Sequence, residues 1–159
     1  MGNGAALIPI IAGMPAAHIE EAIYAYVDGA RQCVRIQEMC ETVSALTEEE
    51  VTQVAEQYAS MPRLSSKEEF DAALAAEGAE LHASRCAICH LRPDDKDVEF
   101  GLGIPLHGQH KEYLRFAIEA YFQGERLSLL DAMAREIQSL KPGDLSALVN
   151  YYASYRATE

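Results

Sequence analysis

The chain has no apolar run of about 18 residues, so no stretch of it is suited to cross a membrane as a helix. It is short of positive charge: 13 basic residues stand against 25 acidic ones, a formal charge of -12. Such a surface repels nucleic acid and would steer the chain toward a partner with a basic face. The same balance also fits an acidic protein whose charge carries no message. The N-terminus lacks the basic n-region of a secretory signal, which does not exclude export, because a processed chain would look the same. No segment shows the period-two alternation of a strand. A length of 159 residues allows one ordinary domain or two small ones.

What is present is a repeat. Residues 22–31 (AIYAYVDGAR) align with residues 117–126 (AIEAYFQGER) at an offset of 95, and six of the ten positions are identical. Farther on the offset is 94: Met39 pairs with Met133, Leu46 with Leu140, and Tyr58-Ala59-Ser60 with Tyr152-Ala153-Ser154. The apolar positions between agree in kind. Two related units joined end to end explain this better than a chance match of helical patterns.

Each unit reads as a helix, a methionine-bearing loop and a second helix. In the first unit, apolar residues at helical spacing run from about Pro15 to Asp28, and Gly29 stops them. Thr47 and Glu50 form a capping box for a helix that continues to about Ser60. In the second unit, residues 111 to 123 repeat the first helix up to Gly124, and Pro142 stands where an N1 proline opens a helix to about Tyr155. Residues 61–66 read as a linker. Ser66 and Glu69 then suggest another capped helix start, and a further helical stretch from about Glu77 to Arg85 leads into two cysteines. Residues 91–108 read as irregular loop.

Cys86-Ala87-Ile88-Cys89-His90 is the c-type haem attachment pattern. Two intervening residues on a turn bring two thiols within reach of the two vinyl groups on one porphyrin edge, and the following histidine faces the iron. A redox dithiol would need a strand-to-helix context, which is absent. A zinc site would need a second pair of ligands at usual spacing, and none follows. Met133 is the one methionine after the motif and the candidate opposite ligand, although a methionine there can also be a core filler. His107 and His110 are rival ligands, read here as surface or loop residues. Cys33 and Cys40 bracket Met39. Seven residues of helix would separate their Cα atoms by about 10.5 Å, too far for a disulfide. A disulfide therefore requires the segment to fold back; the alternative is two buried free thiols.

The second half resembles a class I cytochrome c domain, and the two-unit arrangement resembles dihaem members of that class. The likeness extends to the cytochrome subunit of flavocytochrome c sulfide dehydrogenase. It is carried by Phe70-Asp71, Ala73-Leu74-Ala75, Gly78-Ala79, Leu81-His82, the haem motif, Gly108-Gln109, Tyr113-Leu114, Glu125-Arg126, Met133 and Tyr152-Ala153-Ser154. It implies an all-α fold of two tandem small cytochrome c-like domains. Residues 1–62 would be a degenerate or truncated domain lacking its haem-attachment segment, and residues 66–159 the haem-binding domain. The resemblance further implies one haem c held by Cys86 and Cys89, with His90 and Met133 as axial ligands. Pro105 would orient the histidine through its carbonyl. It also implies an exported, periplasmic electron-transfer subunit that accepts electrons from an FAD flavoprotein partner in sulfide oxidation and passes them to a soluble carrier; the alternatives are a free-standing electron carrier or the cytochrome subunit of another dehydrogenase. Residues 2–4 (GNG) resemble the segment that follows a haem motif, so the first unit lacks the start of its pattern. Met39 would ligate a second haem only if a motif lay upstream. Otherwise it is a relic or core residue, and a Cys33–Cys40 disulfide would supply rigidity that a missing haem cannot.

Overall fold

The computed structural model describes residues 7–98 and 102–157. The segment 2–4 and residues 99–101 of the expected loop lie outside the described residues. Among the described residues seven α-helices follow one another: α1 (Ala16–Val27), α2 (Gln37–Val43), α3 (Glu48–Ala59), α4 (Ala72–Arg85), α5 (Lys111–Phe122), α6 (Asp131–Gln138) and α7 (Pro142–Ser154). Among the described residues the β structure is limited to an isolated antiparallel bridge between Arg31 and Arg126.

The repeat is visible in the backbone bonds. Gly13 N–H donates to Tyr58 O at 2.9 Å, and Gly108 N–H to Tyr152 O at 2.7 Å. Both glycines have φ near the left-handed region, +72° and +83°, which a side chain would strain. The chain between the units passes over both: a Cβ on Gly13 would meet Arg63 Cα at 2.7 Å, and one on Gly108 would meet Ser65 Cβ at 3.0 Å. At the ends of α1 and α5, Gly29 N–H bonds Tyr26 O and Gly124 N–H bonds Tyr121 O, both at 3.3 Å. α3 and α7 share one capping bond, from the N-cap N–H to a carboxylate three residues on. Thr47 accepts from Glu50 N–H while the Glu50 carboxylate accepts from Thr47 N–H, and the Asp144 carboxylate accepts from Lys141 N–H. Pro142 sits in the first turn of α7.

Two expectations are corrected. The methionines do not sit in open loops: Met39 lies in α2 and Met133 in α6, each a short helix. The helix expected from Ser66 begins at Ala72, and the stretch from Glu77 is its second half. Asp71 is the cap that wins, its carboxylate accepting from Ala73 and Leu74 N–H at 2.8 and 3.0 Å. Residues 65–71 are drawn elsewhere. Ser66 N–H bonds Gly108 O, the Glu68 carboxylate accepts from Lys111 N–H, and Asp71 N–H bonds Asn150 Oδ1. Tertiary partners thus outbid a local capping pattern.

Apolar side chains gather in two clusters. Met14, Ile19, Ile23, Val43, Val51 and Ala55 form one, with Met39 and Ile104 packed against it. Leu114, Leu148, Val149 and Tyr152 form the other. Ile104 belongs to the second half of the sequence, so the first cluster is completed across the junction. Gln109 clasps the same junction: its side chain accepts from Ile10 N–H at 2.8 Å and donates to Ile10 O at 2.9 Å. α4 crosses α7 at Gly78, where an added Cβ would lie 2.2 Å from Ala147 O. Only a residue without a side chain lets the two backbones come this close.

Candidate haem site

The cysteine motif begins where α4 ends. Cys86 is the C-cap residue, with its N–H on His82 O at 2.9 Å. Cys89 and His90 N–H both return to Cys86 O, at 3.2 and 2.9 Å, which coils the five residues into one turn. The two thiols are free and half-buried. Burial pushes the Cys86 thiol up, opposed by a hydrogen bond from Tyr152 and by the Arg85 charge.

His90 is held by the loop that follows. Its Nδ1 lies 2.8 Å from Ile104 O. A carbonyl only accepts, so Nδ1 carries the proton and Nε2 keeps its lone pair. Burial lowers the imidazole pKa, which keeps the ring neutral, while the bond to Ile104 opposes that shift. A neutral ring with a bonded Nδ1–H is the usual state of a metal-ligating histidine. The carbonyl expected from Pro105 is therefore that of the residue before it. Pro105 O instead accepts from Arg63 Nη2 at 3.1 Å. Proline biases the preceding residue to extended backbone, so Pro105 acts on His90 through Ile104. Gly103 completes the cradle: a Cβ there would sit 2.6 Å from His90 Cε1 and Nδ1.

Arg85, the residue before Cys86, ties α6 to the motif. It bonds the Glu136 carboxylate at 2.7 Å and Glu136 O at 2.9 Å, reaches Ser139 Oγ, and lies 3.8 Å from Asp144. α6 carries Met133. That methionine is half-buried and is absent from both apolar clusters, whereas Met39 packs against one of them. Cys33 and Cys40, beside Met39, are joined by a disulfide with Cα atoms 6.0 Å apart. α2 starts only at Gln37, so the segment before it turns back far enough to close the bond.

Behind the motif lies a buried cluster the sequence did not reveal. His82 Nδ1 is 3.1 Å from Tyr152 OH, and His107 Nε2 is 3.2 Å from Tyr151 OH. The two histidine rings are 4.8 Å apart, edge to face. Desolvation, aided by nearby positive groups, lowers His82 to about 4 and His107 to about 3, so both are neutral at pH 7. His107 was expected as a surface or loop residue; it lies in the turn before α5 but is 1% exposed, and among the described residues its Nδ1 has no partner. His110 is half-exposed, 3.5 Å from Glu68 at the start of α5. Neither is placed with His90. Helix periodicity could have flagged His82, which falls on the α4 face that buries Ala75 and Gly78.

Near His90 the structure also holds positive charge that no described carboxylate answers. Arg126 acts electrostatically on the His90 ring, and among the described residues its buried Nε has no hydrogen-bond partner. The arrangement fits a covalently held haem: two free thiols on one turn, a neutral imidazole with Nε2 available, space cleared by glycine, and an unanswered cation for an acidic periphery.

No protein-family model matches the chain. Among solved structures, a reduced recombinant cytochrome c4 from Pseudomonas stutzeri superposes with a TM-score of 0.75 at 20% identity, covering 93% of this chain and 85% of that one. The Acidithiobacillus ferrooxidans cytochrome c4 gives 0.70 at 18%, over 94% and 91%. The fold is that of a two-domain cytochrome c. A thiosulfate dehydrogenase from Marichromatium purpuratum gives 0.73 at 24% identity; it covers 98% of this chain, which spans 34% of that one. By sequence, the chain is 29% identical over 167 aligned positions to a protein of Stutzerimonas stutzeri (strain A1501) named thiosulfate dehydrogenase electron acceptor. That match covers 97% of this chain and 74% of the relative. In the described residues, no helix of this cytochrome c fold is long and apolar enough to cross a membrane.

Proposed function

We propose that the chain is a one-haem electron carrier that accepts electrons from a sulfur-oxidising dehydrogenase. The observation that carries this is the turn at Cys86–His90, with both thiols free and His90 Nδ1 bonded to Ile104 O. Cys86 and Cys89 would hold the porphyrin by thioethers, and His90 Nε2 and the Met133 sulfur would ligate its iron. The haem supplies one-electron chemistry at its iron. His90 keeps its tautomer through Ile104, and Arg85 fixes α6, and with it Met133, relative to the cysteines. No residue is assigned to making or breaking substrate bonds.

Thiosulfate dehydrogenase is the favoured donor, because the relative at 29% identity is named its electron acceptor. A sulfide-oxidising flavoprotein with FAD is the second reading, supported by the motif resemblance along residues 70–154. An oxidising compartment outside the cytoplasm agrees with the Cys33–Cys40 disulfide and with haem c.

The test is a pyridine haemochrome assay on the purified protein, followed by mixing with each donor. One covalent haem per chain, absent in Cys89→Ala, and reduction by thiosulfate with its dehydrogenase are expected. Met133→Ala should retain the haem and lower its potential, because a thioether ligand raises it. A chain without covalent haem defeats the reading. Reduction only by sulfide and a flavoprotein selects the second one.

A further inference from the structure

We infer that Arg31 and Arg126, equivalent residues of the two units, form one anion site for the two propionate carboxylates of the haem, so that the first unit holds part of the cofactor attached to the second. This rests on the haem reading above.

The two arginines meet about a local two-fold. They form the isolated bridge, flanked by Gln32 N–H on Glu125 O at 2.7 Å and Leu127 N–H on Ala30 O at 2.8 Å. These bonds exchange under the offset of 95. Each guanidinium stacks on a tyrosine five positions earlier: Arg31 Cζ is 5.6 Å from the Tyr26 ring centre and Arg126 Cζ 4.8 Å from that of Tyr121. Tyr113 also faces both.

The guanidiniums have tyrosine hydrogen bonds, Arg31 with Tyr26 and Arg126 with Tyr113, but no described anion balances their charge. The chain carries about twice as many acids as bases, yet no described carboxylate pairs with either arginine. Arg35, four residues on, has two, Glu119 and Glu125. Burial and the neighbouring Arg126 charge both weaken the protonated form of Arg31. At Arg126 burial works the same way, but tyrosine neighbours outweigh it. Two desolvated cations side by side repel, and an orphaned Arg126 Nε adds the cost of an unmade hydrogen bond. Paired guanidinium forks are complementary to planar carboxylates.

The position selects the anion. Arg126 lies within electrostatic reach of His90. A porphyrin fixed at its vinyl edge by Cys86 and Cys89 has two propionates on the remaining periphery. A free oxyanion such as phosphate shares that chemistry but would bind reversibly.

The experiment uses the full-length holoprotein and compares Arg31→Gln, Arg126→Gln, Arg31→Lys and Arg35→Gln. Haem per chain is read by pyridine haemochrome, helix content by circular dichroism and midpoint potential by spectroelectrochemistry. Arg31→Gln and Arg126→Gln should keep haem and helix content while the potential falls, because loss of a nearby positive charge favours the ferric state. A roughly tenfold change in the reduction equilibrium per variant is the expected scale. Arg31→Lys should retain most of the parent value, and Arg35→Gln, which breaks the ion pairs to Glu119 and Glu125 and the stack on Phe116 but no contact of the arginine pair, should match the parent. Added inorganic phosphate should leave the parent potential unmoved; a phosphate-dependent potential would assign the site to a free oxyanion and overturn the inference. Parent-like potentials in Arg31→Gln and Arg126→Gln overturn it alone, whereas a parent chain without haem removes the carrier reading as well.

Discussion

α3 and α7 hold equivalent places in the repeat and face different surroundings. On α7, Ala147 and Tyr151 receive α4 at Gly78, and Tyr152 is 1% exposed. On α3 the equivalent positions are Gln53 and Gln57, both exposed, and Tyr58 is 36% exposed. The second unit is therefore built inward, around a helix crossing, a histidine–tyrosine cluster and the cysteine turn. The first relies on an apolar cluster of its own, a disulfide and contacts from its neighbour, Ile104 and Gln109 among them. One backbone frame thus tolerates two ways of filling it, provided the polar groups of each face match what covers them.

Gly78→Val should separate the units most sharply. Its Cβ would collide with Ala147 O, and we expect a loss of about 3–5 kcal/mol confined to the second unit. Urea unfolding followed at the haem band and by far-ultraviolet dichroism would show it; an unchanged midpoint would mean that the α4–α7 crossing is looser than described.

Acid should act on the same unit. His82 and His107 are neutral in the fold and bind protons once unfolded, so the unfolded state holds more protons below pH 6.5. Stability is therefore complete above about pH 6.5 and declines as pH falls toward 4. Between pH 6.5 and 5 the decline is about 2 kcal/mol for each histidine. In His107→Phe the difference between these two pH values should shrink by roughly half, whatever the variant's absolute stability.

The disulfide is the first unit's counterpart. Breaking it with Cys33→Ser and Cys40→Ser together should cost about 2–3 kcal/mol for so short a loop. Exchange of amide protons in α1 and α3 should quicken, and that in α7 should not. The smallest contrast is at the caps. Thr47→Ala should cost about 1 kcal/mol in thermal unfolding, and Lys141→Ala almost nothing, because Lys141 contributes its backbone N–H and not a side-chain acceptor.

Features set by neighbouring residues were legible in the sequence. The Thr47–Glu50 box, Pro142 at a helix start and the stops at Gly29 and Gly124 depend on chemistry within a few positions. The cysteine turn is of the same kind. Features set by distant partners were not. Ser66 had a plausible capping pattern, but Gly108 O and Lys111 N–H recruited its neighbourhood. His107 is a loop residue as expected, but the loop's burial under Tyr151 and Tyr155 has no local signature. Ile104 and Pro105 differ by one position, and only geometry says whose carbonyl faces His90. The repeat did align Arg31 with Arg126, but alignment does not say that two equivalent residues touch.

The segment joining the units is bonded at intervals of two or three residues: Arg63 to Pro105 O and His107 O, Ser66 to Gly108, Glu68 to Lys111 and Arg156, Asp71 to Asn150. A protease needs several residues of free, extended chain in its cleft, and residues 63–71 offer none while their partners on the second unit stay folded. The junction is thus not the weak point that a connecting segment usually is. The two halves can be cut apart there only after the second one has begun to open.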